Sequence, residues 1–222
     1  MAQGRKSLSR PLHTHVNPQL HNHAMTFPQS PNFRTQHMRR AAALPLILAL
    51  ATPAEAIVLD GQILRQTGQG EFIILDPDTP FEVGNDNFNT DHLYAFNEDQ
   101  NIVLDTPIRV DIGGVEGQIA TGSEVASHYV FFDSLSGVHY GYVEFDAPIL
   151  GIAAFQDTMG ATDFLANTSV TYIGTELRGL EEGDAVWIDE EEPTRLWVYW
   201  AGSSPGDYIR VFTERSLGAL MM

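Results

Sequence analysis

The chain has 222 residues, no cysteine, and 29 Asp plus Glu against 12 Lys plus Arg, a formal net charge of −17. Lacking thiols, it makes no disulfide, offers no thiolate nucleophile and builds no cysteine-ligated zinc or iron–sulfur centre. So acidic a chain repels nucleic-acid phosphates and anionic lipid, which sets nucleic acid aside as a partner.

Residues 1–37 hold five histidines (His13, His15, His21, His23 and His37) and no acidic residue. A His-rich tract can read as metal binding, but nothing in this one builds a core. The adjoining segment gives it another place. Met38-Arg39-Arg40 is a positive n-region, Ala41 to Ala51 (AAALPLILALA) an apolar h-region, and Ala54-Glu55-Ala56 a small-x-small cleavage site. Together they read as a bacterial secretory signal. An apolar run of 11 residues is too short to span a bilayer, which takes about 20. The expected organisation is therefore a disordered leader or gene-model extension over 1–37, a signal peptide over 38–56 and one β-sandwich domain over 57–222. The product is expected to be secreted or held at the cell surface, with no membrane span in the mature chain.

Residues 57–222 carry six Arg, no Lys and 28 acidic residues, a net of −22. Their 166 residues suffice for one domain with a core of its own. Apolar, β-branched and aromatic runs recur at Glu71–Leu75, Asn101–Leu104, Ile108–Ile112, Val125–Asp133, Val138–Phe145, Ile149–Phe155, Ser169–Ile173, Ala185–Ile188, Arg195–Trp200 and Tyr208–Thr213. Gly, Pro, Asp, Asn and Ser punctuate them, and the only helix expected is a short one over Thr162–Ala166. About ten strands and at most one short helix predict an all-β fold, an antiparallel β-sandwich or jelly roll.

The strongest local signal is Val125 to Phe145, VASHYVFFDSLSGVHYGYVEF. Two strand-like runs flank the polar turn Asp133–Gly137, which predicts a β-hairpin internal to a sheet. With Asp133 opposite Val138, Phe132 faces His139, Phe131 faces Tyr140 and Tyr129 faces Tyr142. Alternation then puts Ala126, His128, Val130, Phe132, His139, Val143 and Phe145 on one face. Tyr129, Phe131, Tyr140 and Tyr142 share the other, a candidate ligand platform. A row of aromatic rings can bind sugar, although aromatics serve more often as core. Trp187, Trp197, Tyr199 and Trp200 lie on later strands.

Gly84 to Asn101, GNDNFNTDHLYAFNEDQN, is dense in oxygen ligands. Counted from Asn87, it matches the EF-hand positions 1, 3, 5 and 12 with Asn87, Asn89, Asp91 and Glu98. Asn stands where Asp belongs, His92 where the required Gly belongs, and no helices flank it. The expectation is a calcium loop of another geometry, with Asp86, Asn87, Asn89, Asp91, Glu98 and Asp99 as ligands. The alternative is a solvated loop of Asx turns. Catalytic patterns are thin. Ser203, Ser204 and Ser216 lack a Gly-x-Ser-x-Gly context, and no His-x-x-x-His pair or phosphate-cradling loop occurs. Carboxylates are too many to single out a glycosidase-like pair. Glu190-Glu191-Glu192 reads as an exposed turn before Pro193.

The order of blocks DNFNTDHLYAFNEDQNIVL, ASHYVFFD, GYVEFDAPILGI, DFLANTSVTY, LRGLEEGD and SSPGDYIRVFTE resembles a group of exported bacterial proteins. The group occurs in cyanobacteria and proteobacteria and often ends in a PEP-CTERM sorting tail. The resemblance spans most of Asn85 to Glu214 and implies a secreted or surface location; it carries over no catalytic residue. After Arg215 this chain departs from the pattern, with only SLGALMM and no Pro-Glu-Pro motif. Three functions are expected. The first is a non-enzymatic exported protein of the envelope or extracellular matrix. The others are a calcium-assisted polysaccharide-binding module and a hydrolase with acidic catalytic residues.

Overall fold

A computed structural model describes residues 56–134, 136–201 and 206–215. The expectations for residues 1–55, and for Ser203, Ser204 and Ser216, lie outside these. In chain order the strands are β1 (Val58–Gln66), β2 (Phe72–Ile74), β3 (Glu82–Val83), β4 (Leu93–Asn97), β5 (Ile102–Val103), β6 (Ile108–Arg109), β7 (Ile112–Gly113) and β8 (Gln118–Ile119). Next come β9 (Glu124–Phe132), β10 (His139–Phe145), β11 (Ile149–Ala153), the helix α1 (Gln156–Ala161), β12 (Thr171–Tyr172), β13 (Ala185–Ile188), β14 (Arg195–Trp200) and β15 (Asp207–Glu214). The fold is thus mostly β with one short helix, as the sequence predicts, although many of the strands are only two residues long. The helix precedes its expected place; Asp163–Leu165 is a single 3-10 turn.

Two sheets carry the structure. One has four strands in the order β1-β10-β14-β13, all antiparallel. The other has the order β2-β4-β9-β15-β11-β7, with β5 pairing the start of β9; β2 and β4 run parallel and the remaining pairs antiparallel. One apolar cluster takes Val143, Phe145, Leu196, Val198 and Trp200 from the first sheet and Leu93, Val130, Phe132, Ile152, Ile209 and Val211 from the second. The sheets therefore meet across it. The far side of the larger sheet is covered as well. Tyr94, Phe96, Tyr129, Phe131, Tyr208 and Phe212 pack there against Met159 of α1, Leu165 and Val170. Ala56, the last residue of the expected signal, is buried against Ala126 and Ala147.

The expected hairpin does not form. β9 pairs with β4, β5 and β15, whereas β10 pairs with β1 and β14. The chain passes from one sheet to the other between Phe132 and His139. The cause is coverage. β9 is covered on both faces and buried from Val125 to Phe132, whereas β10 alternates buried and half-buried. The expected face assignment survives strand by strand, because alternation needs no hairpin. His128 and Phe132 meet Phe145 and His139 across the core between the sheets, at ring distances of 4.8 and 3.8 Å.

Candidate functional site

The outer face of the four-stranded sheet arises from alternation on three adjacent strands. β10 turns Val143 and Phe145 inward and Tyr140, Tyr142 and Glu144 outward. β14 turns Leu196, Val198 and Trp200 inward and Arg195, Trp197 and Tyr199 outward; β13 turns Val186 inward and Trp187 outward. Register places Tyr142 beside Trp197 and Trp197 beside Trp187, so one row of rings runs straight across the sheet. Trp187 and Trp197 lie 6.1 Å apart at 13°, and Tyr140 stacks on Trp197 at 5.5 Å and 11°. Tyr140 and Trp187 are 6.3 Å apart at 21°. Tyr142 meets Trp197 edge-on at 5.5 Å.

Polar partners hold this row in place. The Trp197 indole donates to Asp189 Oδ2 at 2.7 Å. That bond, with the backbone N–H groups of Glu192 and Glu191, holds the Asp189 carboxyl below its ordinary range. The Arg195 guanidinium lies 4.7 Å from the centre of the Tyr142 ring and pairs with Glu144 and, at 2.6 Å, with Glu192. Trp187 ends the row on the edge strand and is 39% exposed. Rings stacked on one another along a rigid sheet, with the end ring Trp187 exposed, suit the addition of one more flat ring to the row.

The four-residue platform expected from the sequence is therefore split. Tyr140 and Tyr142 belong to this outer face. Tyr129 and Phe131 are core residues under the larger sheet, packed with Phe96, Tyr172 and Tyr208. Trp187 and Trp197 complete the face instead. Their outward alternation with Val186, Leu196 and Val198 was visible in the sequence; the pairing of β14 with β10 was not.

The six expected calcium ligands are not brought together either. β4 runs through the middle of their segment and is buried, so Asp91 and Glu98 stand roughly 20 Å apart along the strand direction. Asn85, Asp86 and Asn89 adopt left-handed backbone conformations, at φ of 50°, 57° and 50°, which Asn and Asp tolerate best after Gly. Their side chains hold the turn: Asn87 Nδ2 donates to the Glu82 carbonyl at 2.8 Å, and Asn89 Nδ2 to that of Asp86. Asp91 accepts from Ser134 Oγ at 3.2 Å, and its carbonyl accepts from His139 Nε2 at 2.6 Å. Asp99 lines an open hollow of about 450 Å³ with Asp76 and Asp78. Among the described residues no group of three or more His, Asp or Glu is placed to hold a metal ion.

Glu98 has a different role, in a buried ion pair. Its carboxylate accepts from Arg210 Nε at 2.6 Å and Nη2 at 2.9 Å, from Ser127 Oγ at 2.7 Å and from Tyr172 at 2.6 Å. Arg210 Nη1 donates on to the Met159 carbonyl, Thr162 Oγ1 and Asp163 Oδ1 at 3.0 to 3.1 Å. A second buried set has the outline of a nucleophile, a base and an orienter. Asn97 Oδ1 accepts from Val58 N at 3.0 Å and so acts as the acceptor for His128 Nδ1 at 2.9 Å; His128 Nε2 then accepts from Thr213 Oγ1 at 2.9 Å. His128 and Thr213 have no exposure, and burial pushes the imidazole down to about 3. Sealed from solvent, this set ties β1 to the larger sheet.

No family model matches the chain, and neither a curated protein nor a solved structure is similar to it. No helix among the described residues is long and apolar enough to cross a membrane.

Proposed function

We propose that this is an exported, non-enzymatic bacterial surface or matrix protein that holds polysaccharide against the outer face of its four-stranded sheet. The observation that carries the proposal is the row of near-parallel rings, Tyr140, Trp197 and Trp187, on adjacent strands with Trp187 open to solvent. Export rests on the signal-like segment before Ile57 and on the resemblance to PEP-CTERM-type exported proteins. No calcium is needed for stacking on this face, so the binding proposed is calcium-independent. Calorimetric titration with soluble glucan and glucosamine-type oligosaccharides tests it. Saturable binding that is lost in Trp187→Ala, with the melting temperature kept, is the expected result. Binding equal in wild type and Trp187→Ala, or no binding at all, overturns it.

A further inference from the structure

The aromatic row has a charged row beside it. Two residues along each strand from Trp187, Trp197 and Tyr142 stand Asp189, Arg195 and Glu144, with exposed Asp60 opposite Glu144 in the register. The β13–β14 turn adds Glu190, Glu191 and Glu192, all exposed. Arg195 is the one cation in this row, and Glu144 and Glu192 already engage it. Across the aromatic row, on the other side, the neighbours are Tyr199 and Arg65, opposite Tyr140. The face is therefore asymmetric, with rings along its middle and excess negative charge along one border.

We infer that this face takes a polysaccharide bearing free amino groups, a polymer of amino sugars, in preference to neutral or uronic-acid polymers; the inference rests on the polysaccharide reading above. A sugar ring stacked on Trp187 puts its substituents beside the turn carboxylates. An ammonium there gains both the negative face of the indole and the Glu190 and Glu191 charges. A uronate carboxylate in the same place meets like charge. With Arg195 neutralised, the border offers no cation to receive it.

Calorimetric titration at physiological salt with a glucosamine tetramer, its N-acetylated counterpart and a galacturonate tetramer tests the inference. The free-amine tetramer is expected to bind roughly tenfold more tightly than the acetylated one, the scale of a partly desolvated cation–π contact, and the galacturonate not measurably. Glu190→Gln with Glu191→Gln should narrow that preference, and Trp187→Ala should abolish binding of the amine. Equal affinity for amine and acetylated forms overturns the inference while leaving the polysaccharide reading intact, and so does uronate binding as tight as amine binding. Undiminished amine binding by Trp187→Ala marks diffuse attraction to an acidic chain and overturns it as well. Failure of all three to bind ends both.

Discussion

Arg210 and Glu98 hold opposite charges at zero side-chain exposure, joined by two parallel hydrogen bonds. Removing one partner strands the other in a dry site, which costs about 3–5 kcal/mol, whereas replacing both by apolar residues of similar volume is often near neutral. Glu98→Gln is thus expected to lower stability by that amount in urea unfolding, and Glu98→Met with Arg210→Met to recover only part of it, because Ser127, Tyr172 and Thr162 lose partners in the double variant. A double variant as unstable as the sum of its singles would show that the two side chains do not act as a pair. His128 and Asp207 contribute to the pH dependence with opposite signs. Neutral His128, its pKa pushed by burial to about 3, contributes stability fully above its unfolded value of roughly 6.5, and loses it as pH falls toward the folded value. Burial, then the hydrogen bond and charge of Asp184, push the Asp207 carboxyl from 3.8 up to about 9. Its contribution is full below the unfolded value and drains away as pH rises to the folded one. Stability is expected to peak in weak acid and decline from neutrality to about pH 9. Asp207→Asn should flatten that decline; urea midpoints measured across the range check it, and an unchanged slope would place its source elsewhere.

Strands whose alternation is regular were legible at both ends, and β13 and β14 match the expected Ala185–Ile188 and Arg195–Trp200 residue for residue. β1 was not, because bulges between Val58 and Asp60 and between Ile63 and Arg65 break its alternation. β4 was hidden by its flanks, since Leu93–Asn97 sits between acid-rich turns whose Asn and Asp residues serve backbone geometry. Half the candidate platform was legible, Tyr140 and Tyr142, because alternation alone fixes their face. The other half depended on which strands pair, a long-range choice that local pattern does not encode. β9 is buried on both faces even at Ser127 and His128, whereas β10 alternates buried and half-buried, and that difference in coverage, not an apolar run, separates them into two sheets. Gly141 shows how tightly β1 is seated on β10. A Cβ there would lie 2.2 Å from the Gln62 carbonyl oxygen, so Gly141→Ala has to push the strands apart. A loss of about 1–3 kcal/mol is expected by analogy with overpacked cores, with faster amide exchange along Val58–Gln66. Wild-type stability in this variant would mean that β1 yields without cost.

Across the whole molecule, neighbours in sequence are seldom neighbours in a sheet. β1 pairs with β10, β4 with β9, and β9 with β15. Contacts of such long range close large loops before they are rewarded, and domains of this kind fold in milliseconds to seconds. Refolding from urea is expected within that span, and microsecond refolding would contradict it. β15 also fills the place between β9 and β11 in the larger sheet and supplies Arg210, Ile209, Val211 and Phe212 to the interior. A chain ending at Ala201 is accordingly expected to show no cooperative melt. β15 follows every other described strand in sequence yet lies between two of them, β9 and β11, so the larger sheet cannot close until that segment is present. Until then β9 and β11 are two edges without the rung that joins them, and the halves of the sheet have no shared ladder to hold them in register.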